Sequence, residues 1–119
     1  MKSLKTKHCK PCEGGVPALS AKAAKKLLKR VRGWQIDPAA KKIRKDLEMK
    51  NFLAAVKLIE KIARVAEAND HHPDLHLTGY RHLRVELSTH AVHGLSENDF
   101  ILAAKIDALP KVLKKSKRK

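Results

Sequence analysis

FLAAVKLIEKIARVAEANDHHPDLHLTGYRHLRVELSTH, from Phe52 to His90, changes its hydrophobic period once, and that change decides the fold. In the first half Phe52, Ala55, Val56, Ile59, Ile62, Ala63 and Ala66 recur at helical spacing, which predicts an amphipathic helix ending near Asn69. After Pro73 the period falls to two. Leu75 and Leu77 flank His76, while Leu83, Val85 and Leu87 alternate with Arg84 and Glu86. Thr78-Gly79 allows a tight connection between these runs, so the second half predicts an antiparallel hairpin reaching Thr89-His90. Pro73 disfavours helical geometry at His72, which puts the change of period at the two histidines.

Upstream, Ser20 offers an N-cap, and Ala24, Leu27, Leu28 and Val31 fall on one helical face, with Gly33 as a left-handed stop. Trp34 and Ile36 alternate with Gln35 before a turn at Asp37-Pro38, and Ile43, Leu47 and Met49 share the parity of a second strand. Lys45 interrupts that apolar face. Downstream, Ser96 to Asp99 reads as a capping box, followed by a buried face of Phe100, Ala103, Ile106 and Leu109. The order α-β-β-α-β-β-α predicts an α+β domain: a four-stranded antiparallel sheet with three helices packed on one face. Residues 1–18 read as an irregular basic arm, 19–110 as the folded domain and 111–119 as a basic tail.

The 119 residues suit one small domain. The sequence holds neither an apolar run of membrane-spanning length nor a secretory start, so a cytoplasmic protein without membrane contact is expected. The two cysteines, Cys9 and Cys12, should then be thiols. With His8 they supply only part of a zinc set. The net charge of +15 is concentrated at Lys22–Arg32, Lys41–Lys45 and the tail. A solvated tail that maintains solubility is the favoured reading of the last of these, because aromatics for base stacking make up only 3% of the chain. Nucleic-acid binding through the tail is the alternative.

Histidine alone has an unperturbed pKa between pH 5 and 8, and two rings on adjacent extended residues address different atoms. Glu67, Asp70-His71-His72-Pro73, Tyr80, Ser88-Thr89-His90, Gly94-Leu95-Ser96 and Asp99 together resemble the signature of the pterin-4a-carbinolamine dehydratase family. The likeness runs from about Leu19 to Leu109, and the string His71 to Leu77 is most similar to a plant and bacterial subgroup.

The resemblance implies the same fold and an acid–base dehydration of 4a-hydroxytetrahydrobiopterin to a quinonoid dihydropterin, within tetrahydrobiopterin metabolism. Neither a metal nor a redox cofactor is implied, since the ring nitrogens supply the electron push. His71, His72 and His90 match the family's three catalytic histidines, with His72 and His90 expected to move protons and His71 to bind and to offer an alternative proton transfer. Glu67, Pro73, Leu75 and Asp99 are the implied substrate-binding residues, Leu75 standing where many animal relatives carry an aromatic. The partners implied are the pterin itself and further copies of the chain, in a homodimer or homotetramer. A non-catalytic binding, dimerisation or regulatory module of the same fold is the alternative function.

Overall fold

The computed structural model describes residues 4–7 and 17–114. The expectations for His8, Cys9, Cys12 and the tail from Lys115 onward lie outside the described residues. Helices α1 (Ala21–Leu28), α2 (Phe52–Asn69) and α3 (Glu97–Asp107) alternate with strands β1 (Gln35–Ile36), β2 (Ile43–Glu48), β3 (Asp74–Thr78) and β4 (His82–Leu87) in the expected order. The strands form one antiparallel sheet in the order β1-β2-β4-β3.

Register sets the two faces of this sheet. Ile43 stands opposite Leu87 and Leu47 opposite Leu83, while Leu75 stands opposite Val85. Ile43, Leu83, Val85 and Leu87 are buried beneath the helices with Leu58, Ile62, Phe100, Leu102 and Ile106. The alternate residues form an outer face of charge pairs, in which Arg84 binds Asp46 at 2.7 Å and His76 reaches Glu86 at 3.2 Å. Hydrogen bonding to the Asp46 carboxylate, and its charge, push the Arg84 guanidinium above its already high range.

Four local readings change. The buried seam of α2 is Ala55, Leu58, Ile62 and Ala66, whereas Phe52, Val56 and Ala63 are exposed. The helix is apolar around much of its circumference, so periodicity alone does not select the face that meets α3 and the sheet. Helix α1 ends at Leu28, continued by tight bonds from Arg30 to Leu27 and Val31 to Leu28, so Gly33, at φ +79°, turns the chain later. Met49 lies beyond β2 and bridges to Leu113, where Lys114 also donates its amide to Glu48. Lys45 does point inward, yet its ammonium reaches the Asp107 carboxylate at 2.9 Å and the Arg32 carbonyl at 3.1 Å. Its stem covers apolar surface while its head finds oxygen.

The arm also departs from an irregular reading. Leu4–Thr6 makes one 3-10 turn against α3, burying Leu4, and Lys7 pairs with Glu97 at 2.6 Å.

Candidate active site

The C-terminus of α2 aims the two adjacent histidines. Asp70 adopts the left-handed conformation (φ 50°, ψ 41°) and donates its amide to Glu67 at 3.3 Å, while the His71 amide reaches back to the Ala66 carbonyl at 3.2 Å. This pair of bonds is a Schellman motif with aspartate in the place usually taken by glycine, which its short polar side chain tolerates. The chain then leaves the helix in extended form through Pro73. His71 turns inward and His72 outward.

The His71 ring is 5% exposed, with Nε2 lying 2.7 Å from Asp99 Oδ1. His72 stays in solvent, with Nε2 2.6 Å from Oε2 of Glu67, one turn back on α2. The side chains of this second pair are 53% and 77% exposed.

Asp99 lies in the first turn of α3, where a negative charge suits the helix dipole. Its Oδ2 accepts the Thr89 hydroxyl at 2.8 Å and the Ser96 amide at 3.0 Å, the reach-back half of the capping box. The Thr89 and Ser96 hydroxyls are themselves 2.8 Å apart. Among the described residues no buried side-chain nitrogen or oxygen lacks a hydrogen-bond partner, as burial requires. Thr89 ends the sheet region by bridging to Gly94, and His90 follows at the start of a 3-10 turn, His90–Val92, closed by left-handed His93. The His90 side chain is exposed.

One carboxylate therefore holds both histidine-bearing segments: His71 directly, and His90 through its neighbour Thr89. Sequence reading assigned Asp99 to a cap and to the pocket, but missed Thr89 as the intermediary. The signal available was a hydroxyl residue beside His90 with a Ser-x-x-Asp box close behind it. Pro73 is half-buried beneath His72 in the chain, and Leu75 is half-buried on the inner face of β3, packed against the core. Tyr80 projects from the β3–β4 turn, exposed and at φ 56°. A groove of about 610 Å³ runs over the outer sheet face between Asp46, His76, His82 and Arg84, and another of about 390 Å³ lies by Gln35 and Asp37. Neither is lined by His71, His72 or His90.

Chemically, the three imidazoles and two carboxylates are groups able to give or accept protons, one pair fixed by burial and one open to solvent or a ligand.

Residues 17–109 match the family described as pterin 4 alpha carbinolamine dehydratase. A relative in Nitrosomonas europaea, provisionally named for that activity, is 50% identical over 89% of this chain and 92% of its own. One in Methylococcus capsulatus, named in the same way, is 45% identical over 90% of this chain and 93% of its own. The mitochondrial pterin-4-alpha-carbinolamine dehydratase 2 of Arabidopsis thaliana is 41% identical over 89% of this chain and 58% of its own. Among solved structures, a transcriptional coactivator/pterin dehydratase from Brucella melitensis superimposes with a TM-score of 0.72 at 30% identity, covering 76% of this chain and 96% of that one.

Proposed function

The chain belongs to the pterin 4 alpha carbinolamine dehydratase family and is on that ground a hydro-lyase; we propose that it dehydrates 4a-hydroxytetrahydrobiopterin by histidine acid–base catalysis. The reaction removes the C4a hydroxyl as water after one proton is delivered to it, while the proton on N5 is withdrawn and the C4a=N5 double bond forms. Two exposed imidazoles suit these two transfers, and His72 and His90 are the candidates. His71 binds and orients the pterin, with an auxiliary part in proton transfer. Glu67 holds the His72 ring, Asp99 sets His71, and Pro73 with Leu75 shapes the adjoining wall.

The observation that carries this assignment is the double use of Asp99, whose two oxygens hold His71 and Thr89 at 2.7 and 2.8 Å. Positioned acids and bases each contribute about 10²–10⁴-fold, so two of them together account for roughly 5–11 kcal/mol of barrier reduction. The decisive experiment is a stopped-flow assay of carbinolamine dehydration with the wild type, His72→Ala and His90→Ala. Wild-type rates equal to those in buffer would reject the activity, and undiminished variants would reject the residue assignment.

The protein is further proposed to act in the cytoplasm as a homodimer or homotetramer within tetrahydrobiopterin metabolism. No helix among the described residues is long and apolar enough to cross a membrane. The exposed apolar group Phe52, Leu53 and Val56 on α2 supports self-association, which light scattering after size exclusion would test. The name of the Brucella melitensis protein favours one second reading, a regulatory module. Rescue of a deletion phenotype by the His72→Ala, His90→Ala double variant would select it.

A further inference from the structure

Helix α1 carries a stripe of positive charge that its own stability explains only in part. Lys22, Lys25, Lys26 and Lys29 recur at i, i+3, i+4 and i+7 and are all exposed. Ala24, Leu27, Leu28 and Val31 occupy the opposite face and pack into or against the core. Arg30 and Arg32 follow, both exposed, and no acidic residue occurs between Glu13 and Asp37. Among the described residues, no carboxylate lies within ion-pairing distance of Lys22, Lys25, Lys26, Lys29 or Arg32.

The helix dipole accounts for Lys25 and Lys26 in the last turn but not for Lys22, which stands in a first turn without acids. Like charges three and four residues apart repel along the helix. The exposed face of α2 is built in the ordinary mixed way, with Glu60 and Arg64 paired at 3.8 Å.

We propose that this stripe is a docking surface for the phosphate backbone of duplex nucleic acid. Seven residues of helix rise about 10 Å, over which each strand of a B-form duplex presents roughly three phosphates. Long, flexible ammonium side chains suit those charges without reading base edges, so the binding is independent of sequence. A bilayer surface fits less well, because an interfacial helix needs an apolar face to insert, and that face of α1 is already committed to the core. The net charge of +15 steers the encounter from a distance.

The test is fluorescence anisotropy of the full chain with a labelled DNA duplex of about 20 base pairs, between about 50 and 200 mM salt. The quadruple variant Lys22→Gln, Lys25→Gln, Lys26→Gln, Lys29→Gln keeps good helix formers at all four exposed sites, and its far-UV circular dichroism should match the wild type. Its affinity should fall about 10²-fold or more near 100 mM salt, and its log–log salt slope should flatten by about three to four. Arg32→Gln, outside the helix, should flatten the slope by about one. Unchanged affinity and slope in the quadruple variant overturn the proposal. So does binding lost only on deletion of residues 115–119, or wild-type protein that takes up phosphatidylserine vesicles and leaves the duplex free.

Discussion

Nε2 of His71 stands 2.7 Å from Oδ1 of Asp99, both side chains buried, although 28 residues separate them along the chain. The contact ties the end of α2 to the start of α3. Because the other Asp99 oxygen holds Thr89 and Ser96, a single carboxylate joins the packing of two helices to the positions of two histidine segments. Under the proposed assignment this residue should couple stability to catalysis, whereas at the exposed His72 and His90 the two should separate.

Asp99→Ala should show that coupling. It removes the acceptor shared by the Thr89 hydroxyl, the Ser96 amide and the His71 ring in a buried setting, which should cost about 3–5 kcal/mol. Asp99→Asn keeps an acceptor but presents an amide to His71 or Thr89, so it should recover part of the stability and little of the activity. Urea midpoints and initial dehydration rates measure the two effects. A stable Asp99→Asn with wild-type turnover would remove Asp99 from the proposed positioning role.

The exposed histidines should behave in the opposite way. His72→Ala and His90→Ala remove solvent-facing rings, so each is expected to change stability by no more than about 0.5 kcal/mol. Each should lower kcat by about 10²–10⁴-fold if it moves a proton. His71→Ala leaves the buried Asp99 without one of its partners and should lose about 1–3 kcal/mol. Thermal melts set beside single-turnover rates would expose the contrast, and equal destabilisation by all three variants would contradict it.

Glu67→Gln tests the solvent-facing pair. With side-chain exposures of 53% and 77%, the His72–Glu67 contact should add less than about 1 kcal/mol to stability. A melting curve close to the wild type is expected, together with a lowered kcat as the His72 ring loses the carboxylate that holds it. Unchanged activity would leave Glu67 as a surface carboxylate only.

Local pattern revealed the elements, and what it missed was non-local. The alternation Leu83, Val85, Leu87 matches the buried face of β4 because a strand has only two faces, one of which here meets the core. The α2 face was misjudged because Phe52, Leu53 and Val56 are as apolar as the buried Leu58, and only the position of α3 and the sheet distinguishes them. Asp70 gave no warning of its left-handed conformation, since glycine is the usual signal for that position. The residue types of the proposed site were readable in order. The bond between His71 and Asp99 depends on how α3 docks and has no local signature, whereas the part of Thr89 was signalled only by its place beside His90 and ahead of the Ser-x-x-Asp box.

Lys45 looked like a defect in an inward strand face for the same reason. Its partner Asp107 is 62 residues away and also accepts the Trp34 indole N–H at 3.0 and 3.1 Å. Asp107→Ala removes the acceptor from both donors in a partly buried setting, so a loss of about 1–3 kcal/mol is expected. Lys45→Met should be milder, because methionine replaces the apolar stem and the Asp107 carboxylate keeps the Trp34 indole as a donor. Trp34 is the only tryptophan, so its emission maximum reports this corner directly. Equal destabilisation by the two variants would contradict this account of the triad.

The β1–β2 turn makes a pH-dependent contribution whose sign is defined. Burial works against ionisation of Asp37, but amide hydrogen bonds from Lys42 at 2.9 Å and Lys41 at 2.6 Å, with the Lys42 charge, hold its carboxyl below the ordinary range. A carboxyl with a depressed folded pKa releases its proton more readily in the native state. The stability it adds is therefore complete above the unfolded value of about 3.9 and fades as pH falls through the lower folded value. Asp37→Asn keeps a side-chain acceptor and removes the charge. The Tm difference between wild type and variant should be small and constant from about pH 8 to 5, because the site is close to solvent, and should shrink below about pH 4. A difference that persists unchanged into stronger acid would mean that the carbonyl-like geometry, and not the charge, orders this turn.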